Sequence, residues 1–260
     1  MNKITVIGIP YDKKSSTLRG PSKAPPLIRK CLHSGISNYY SENGVTIEND
    51  QIGDMGDFDI DEYFDIEKIG RQSINDHSRL FTLGGDHSIT YPLLRALSGT
   101  YYDISVLHID AHADLYDEYG GDRYSHACPF ARIMEDGLAS RLLQVGIRTL
   151  NDHQREQSAR FGTEIIEMKD FQLNKIPRLT GNVYLSIDMD GIDPGFAPGV
   201  SHQEPGGLSP RDVISIINGI KGTIIGADLV EFNPLLDSNG ITASLAVKLM
   251  KEILGKMLTS

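Results

Sequence analysis

The chain has only two cysteines, Cys31 and Cys128, in 260 residues. Nothing in their spacing pairs them, which excludes a disulfide framework and makes a reducing, cytoplasmic location the simplest expectation. No apolar run reaches the length of a membrane span, and no signal-type apolar stretch opens the chain, so neither membrane insertion nor secretion is expected. Positive charge is scarce: 25 Lys and Arg stand against 35 Asp and Glu, a formal net charge of −10. That balance argues against nucleic acid as a partner and is mildly favourable to a cationic one. Internal repeats, low-complexity segments and linkers are also missing, so residues 1–260 read as a single domain with one sizeable core.

What is present is a regular alternation of apolar runs and helical patterns. Strands are expected at Ile4 to Ile9, Val45 to Ile52, Leu80 to Leu83, from Ile104, at Leu142 to Ile147, Glu164 to Met168, Gly181 to Ile187 and Thr223 to Phe232. Helices are expected near 26–35, at Glu67 to Arg79, Ser88 to Ser98, Phe130 to Ala139, Gln154 to Phe161, Pro210 to Gly219 and Ser244 to Met257, with Ser209 placed to cap the sixth. Residues 53–64, acidic and glycine-containing, read as an exposed loop. Strands alternating with helices predict an α/β fold, a three-layer αβα arrangement with a parallel sheet of about eight strands.

Chemistry gathers at three strand ends. His108-Ile-Asp-Ala-His-Ala-Asp114 follows the Ile104 strand, and extended backbone would point Asp110, His112 and Asp114 to one side. Ser186-Ile-Asp-Met-Asp190 closes the Gly181 strand, and Leu83-Gly-Gly-Asp-His-Ser88 follows the Leu80 strand. His87, Asp110, His112, Asp114, Asp188 and Asp190 are therefore candidate metal ligands, at the edge where open α/β sheets bind ligands. Four carboxylates in one crevice repel strongly, and two divalent cations would neutralise them. Oxygen-dominated coordination with some imidazole suits two Mn²⁺ better than a structural zinc, with Co²⁺ or Ni²⁺ expected to substitute in vitro. Such a pair lowers the pKa of water toward neutrality. Phosphoesters, amides and guanidinium groups are all attacked this way, so spacing alone leaves the electrophile open. Nearby, His108 reads as a packed residue or one that orients a ligand. Asp86 and Asp193 are balanced between orienting ligands and capping turns. His202 and Glu204 read as solvated loop residues, His33, His77 and His153 as surface residues, and Cys128 as a packing residue.

The three blocks resemble the signature blocks of the ureohydrolases, the family of arginases, agmatinases and related guanidino hydrolases. Asp190-Gly-Ile-Asp-Pro194, Phe196-Ala-Pro-Gly199, Glu204-Pro-Gly-Gly-Leu208 and Glu231-Phe-Asn-Pro234 extend the likeness over nearly the whole chain. Tyr124 to Met134, with Leu142 to Arg148, looks most like plant-type, agmatinase-like arginases. The resemblance implies an arginase-like fold. It places His87 and Asp114 on one Mn²⁺, His112 and Asp190 on the other, and Asp110 and Asp188 between them. It makes His126 a proton shuttle, Glu231 the acceptor of the guanidinium, and Asp114 the donor to the leaving amine. The implied reaction is hydrolysis of a small cationic guanidino substrate, L-arginine or agmatine, to urea and ornithine or putrescine, with a slight lean to arginine. Another guanidino-acid or formimino hydrolase is the alternative, and a binuclear metallophosphatase or deacetylase the reading from a different class. Trimers or hexamers are implied as well. The chain departs from the Gly-x-Arg-Asp-x-Asp of animal arginases with Gly146-Ile-Arg-Thr-Leu-Asn151, and has Asp114-Leu-Tyr-Asp-Glu118 after the first block. Arg123, in the Gly120 to Ser125 loop, is left between meeting a substrate carboxylate and being solvated, the latter favoured.

Overall fold

In the computed structural model, which describes residues 4–74 and 78–260, the apolar runs become strands and the amphipathic stretches helices. The strands are β1 (Ile4–Ile9), β2 (Ile52–Asp57), β3 (Arg79–Gly84), β4 (Ile104–Ile109), β5 (Arg141–Ile147), β6 (Glu164–Glu167), β7 (Asn182–Asp188) and β8 (Thr223–Val230). They pair in parallel throughout, in the order β2-β1-β3-β8-β7-β4-β5-β6. The helices are α1 (Ala24–Leu32), α2 (Asp65–Ser73), α3 (Thr90–Leu97), α4 (Pro129–Glu135), α5 (Asp152–Phe161), α6 (Pro210–Gly219) and α7 (Ile241–Thr259).

Alternate residues of the central strands feed two apolar layers. Leu107 and Ile109 of β4 pack into one layer with Ile28 of α1, Val213 of α6 and Val247 of α7. Ile104 and Val106 pack into the other with Ile66 of α2, Leu93 of α3 and Phe130 of α4. A strand covered on both faces needs apolar side chains on both, which is why these segments read as continuous hydrophobic runs. Ser209 caps α6 in a reciprocal box with Asp212 and Pro210 opens the helix, as the sequence indicates.

Two expectations are corrected. Val45 to Ile52 is not a strand beyond an isolated bridge between Tyr40 and Thr46. The second strand is instead Ile-Gly-Asp-Met-Gly-Asp, inside the segment read as a loop. As the edge strand it buries little, so the apolar alternation that marks a strand is absent; its ladder to β1, and Arg29 gripping Asp54 and Asp57, hold it in place. α2 ends at Ser73, well short of Arg79, which opens β3; His77 lies outside the described residues.

β3 and β4 are consecutive in the chain but separated in the sheet by β8 and β7. The winding direction reverses there, and the carboxyl ends of β3, β8, β7 and β4 open onto one crevice. Among the described residues no helix is long and apolar enough to cross a membrane.

Candidate active site

All six candidate ligands meet in this crevice, though not by strand parity. β4 ends at Ile109, so the extended backbone assumed for residues 110–114 does not exist. Instead the Asp110 carboxylate accepts the His112 backbone N–H at 2.6 Å, and Asp114 adopts a left-handed φ of 50°. β7 ends the same way, with Asp188 accepting the Asp190 N–H at 2.7 Å. These tight turns fold the carboxylates back over the sheet edge. His87 sits in a short 3-10 turn after β3, capped by Asp86. Gly85 before it has no alternative, since a Cβ there would lie 1.8 Å from the Tyr11 carbonyl oxygen.

The result is two linked groups. His87 Nδ1 lies 3.1 Å from Asp110 Oδ2, 3.3 Å from Asp114 Oδ2 and 3.0 Å from Asp188 Oδ2. His112 Nδ1 lies 3.4 Å from Asp110 Oδ1 and 3.2 Å from Asp190 Oδ2. Asp110 thus offers one oxygen to each group. Burial disfavours charge on every member. Against that penalty, Asp110 and Asp188 hold His87 well above the usual histidine range, and Asp190 and Asp110 do the same for His112. Burial together with the Asp110 charge pushes Asp114 up to about 8, and burial with the Asp190 and Asp110 charges raises Asp188. Against burial, the neighbouring imidazoles hold Asp110 well below the usual carboxylate range, whereas burial raises Asp114, Asp188 and Asp190; such a set fits divalent cations, which would stabilise all four carboxylates at once.

A buried polar row runs beneath the ligands. Gln144, His108, Ser186 and Asp228 are register partners across β5, β4, β7 and β8. Asp228 accepts hydroxyl protons from Ser186 at 2.6 Å, Tyr184 at 2.6 Å and Thr90 at 2.9 Å. With its own proton given to Asp228, Ser186 Oγ accepts from His87 Nε2, 2.9 Å away, so Nε2 keeps its proton and Nδ1, facing the carboxylates, is the nitrogen that would release its proton to bind a cation. His108 is indeed a packed, orienting residue. It stacks on Phe130, accepts from Gln144 at Nδ1 and donates Nε2–H to Asp110 at 2.7 Å; burial keeps it neutral, its pKa pulled down to about 4.

β8 stops at Val230 rather than Phe232 because Glu231 turns to a φ of 61°, which aims its side chain into the crevice. Two of the three described non-glycine residues with positive φ, Asp114 and Glu231, belong to this site. Glu231 Oε1 accepts the His87 N–H at 2.9 Å and His126 Nδ1–H at 2.8 Å; among the described residues Oε2 has no hydrogen bond. Burial opposes protonation of His126, but the Glu231 charge carries its pKa up to about 9. Its Nε2 meets the Ser16 N–H at 3.1 Å and the Ser16 hydroxyl at 2.9 Å. The loop carrying Ser16 is pinned by Asp86, whose carboxylate accepts from the Lys14 N–H and the Ser15 hydroxyl. Asp86 is therefore a turn cap and an anchor, not a ligand partner.

These residues line a cavity of about 210 Å³ whose wall also holds Tyr116, Thr149, Gln154, His202 and Glu204. His202 and Glu204 are thus not merely solvated: the His202 ring lies 5.8 Å from that of His112 and 5.5 Å from that of His126. Asp193 caps a turn, accepting from Gly195, Gly206 and Gly207. Arg123 pairs with Glu135 at 2.9 Å outside the cavity, Cys128 is buried, and His33 and His153 are exposed. Ser16, Tyr116, Gln154, Arg148 and Asp228 escaped sequence reasoning. Only the polar Asp228 inside an apolar strand carried a signal.

Residues 2–255 match the sequence profile described as "Arginase: Arginase family". The chain is 43% identical over 275 residues to "Arginase 1, mitochondrial" of Arabidopsis thaliana, covering 97% of this chain and 80% of that one. It is 32% identical over 272 residues to "Guanidino acid hydrolase, mitochondrial" of Homo sapiens, covering 95% and 76%. The solved "Arginase from Medicago truncatula" superposes with a TM-score of 0.91 at 39% identity, covering 98% and 87%. The cytoplasmic expectation is overturned by these relatives, whose names place them in mitochondria. Two unpaired cysteines indicate a reducing environment, which does not single out one compartment. The profile match over nearly the whole length, the plant arginase identity and the shared fold lead to one conclusion: this chain is a hydrolase of the arginase family.

Proposed function

We propose that one catalytic domain spanning 1–260 hydrolyses L-arginine or agmatine to urea and ornithine or putrescine, with arginine favoured by the plant relatives. The observation that carries this reading is Asp110 reaching two histidine-centred groups while Glu231 presents an unbonded oxygen to the same cavity. In it, His87, Asp110, His112, Asp114, Asp188 and Asp190 would hold two Mn²⁺, His87 and Asp114 serving one, His112 and Asp190 the other, and Asp110 and Asp188 both. The pair, when bound, supplies an activated water at neutral pH.

The side chains do the rest. Glu231 Oε2 accepts guanidinium N–H in a charge-assisted bond and turns the central carbon toward the ligand cluster. Water adds its oxygen to that carbon, the C–N bond to the alkyl chain breaks, and Asp114 passes the proton to the departing amine. His126 exchanges protons with solvent through Nε2, where the Ser16 hydroxyl is the first relay. A homotrimer or homohexamer belongs to the same reading and is checked by sizing.

The deciding experiment is urea release by Mn²⁺-loaded protein, with L-arginine and agmatine side by side. Urea from either supports the hydrolase, and the ratio names the substrate. Urea from neither, with phosphoester or acetyl-lysine turnover instead, overturns it.

A further inference from the structure

The reactive end of the cavity is described above; its mouth decides which guanidino compounds enter. Asp188, Asp190 and Glu231 are buried at its floor, whereas Glu204 is half-buried on its wall. Among the described residues no Lys or Arg side chain lines it. Three cations of the surrounding loops are engaged elsewhere. Lys14 pairs with Asp122 at 2.6 Å, and Arg123 with Glu135. Arg148 directs its guanidinium to backbone carbonyls: those of Gly146, Gly191, Asp190 and, from both Nε and Nη2, Glu204. A guanidinium has five N–H donors, so none remains for an anion.

Those same bonds fix Glu204. The Arg148 group that holds the Glu204 carbonyl at 2.5 and 2.9 Å also holds the Asp190 carbonyl at 2.7 Å, so the wall is clipped to the floor. Asp193 secures the following Gly206 and Gly207. The Glu204 carboxylate itself, among the described residues, makes no hydrogen bond or ion pair. It is a carboxylate without a salt-bridge partner among the described residues, on a braced loop that lines a cavity whose cationic groups, the imidazoles of His112 and His126, lie at the reactive end.

We infer that Glu204 receives the distal ammonium of the substrate, so that this site selects guanidino compounds bearing an amino group and rejects those whose far end is only a carboxylate. This inference rests on the guanidino-hydrolase reading above. An α-carboxylate, where present, meets a neutral donor such as the Tyr116 hydroxyl, which accepts from Asn151 and keeps its own proton to give, rather than a Lys or Arg. A guanidino acid without an amine would set its carboxylate against Glu204, with no lining Lys or Arg among the described residues to balance the pair.

The test compares agmatine, L-arginine and 4-guanidinobutanoate on the Mn²⁺-loaded wild type and on Glu204→Gln, which keeps the side chain's shape. The wild type is expected to prefer both amines over 4-guanidinobutanoate by at least roughly tenfold in kcat/KM, and Glu204→Gln to raise KM for the amines by a similar factor with little change in kcat. KM for 4-guanidinobutanoate should not rise. A wild-type preference for 4-guanidinobutanoate, or unchanged KM for the amines in the variant, overturns the inference. If no compound yields urea, the hydrolase reading fails by itself. Calorimetric binding of agmatine then decides: weaker binding to Glu204→Gln supports the ammonium site, and equal binding refutes it.

Discussion

Asp228 touches none of the candidate carboxylate ligands, yet substituting it should loosen the metal centre. In Asp228→Asn one carboxylate oxygen becomes an NH2. Facing Tyr184 and Thr90, that group would leave two hydroxyl donors without their acceptor; facing Ser186, only one. The second arrangement is cheaper. The three bonds then lose their charge assistance, at about 1 kcal/mol each, partly offset because burial already penalises the Asp228 charge and raises its pKa. A net loss of about 2 kcal/mol corresponds to a fall in Tm of about 4–8 °C for a chain of this size. The larger consequence is directional. Ser186 now accepts from the introduced NH2 and turns its own proton toward His87 Nε2, which favours the tautomer protonated at Nδ1. On the proposed ligand set that is the wrong nitrogen, and divalent-cation affinity should fall by about 10–100-fold. The assay is Mn²⁺ or Co²⁺ titration by calorimetry, with Tm measured separately in chelator so that metal linkage does not enter. A variant with lowered Tm and unchanged affinity would refute the tautomer argument and leave Asp228 a packing residue.

Three further outcomes are expected. His126→Ala should lower kcat by about 10²–10⁴ while metal content by elemental analysis stays at the wild-type value; loss of the ions would make His126 a ligand instead. Gly146→Ala should destabilise by about 1–3 kcal/mol and weaken metal binding. Its φ of 101° is strained for an L-residue and its Cβ would lie 2.8 Å from the Asp110 carbonyl oxygen; denaturant unfolding with an unchanged midpoint would show that the backbone absorbs the clash. Burial, reinforced by Asp114, pushes the Cys128 thiol up to about 12, so below that pH it stays protonated and inert. Iodoacetamide should therefore label the half-buried Cys31 in native protein and Cys128 only after unfolding, which peptide mass mapping will show.

The candidate ligand set was legible in the chain because its chemistry is local. His87, Asp110, His112, Asp114, Asp188 and Asp190 each follow an apolar run, and a run buried on both faces is the plainest signal a strand gives. β2 was missed for the opposite reason: an edge strand held by its ladder and by Arg29 needs no apolar pattern. The convergence of the ligands was anticipated, but by the wrong geometry, since the strands end before Asp114 and Asp190 and side chain-to-backbone turns finish the task. Asp228, Gln144 and Arg148 were hidden because their partners are far away in sequence, and a polar residue in an apolar strand does not say what it will face.

The sequence by itself determined the alternation of strands and helices and the candidate metal-binding side chains, because both rest on residue type and short-range spacing, and its motif blocks carried the resemblance to the family. The tertiary structure alone decided that β3, β8, β7 and β4 stand side by side, which brings Glu231 and His126 to the ligands. It alone decided that Arg148 is fully committed to carbonyls and that Glu204 lines the cavity without a salt-bridge partner among the described residues. Strand order and hydrogen-bond saturation are properties of contacts between distant segments, and no local pattern encodes which distant group will satisfy a given donor.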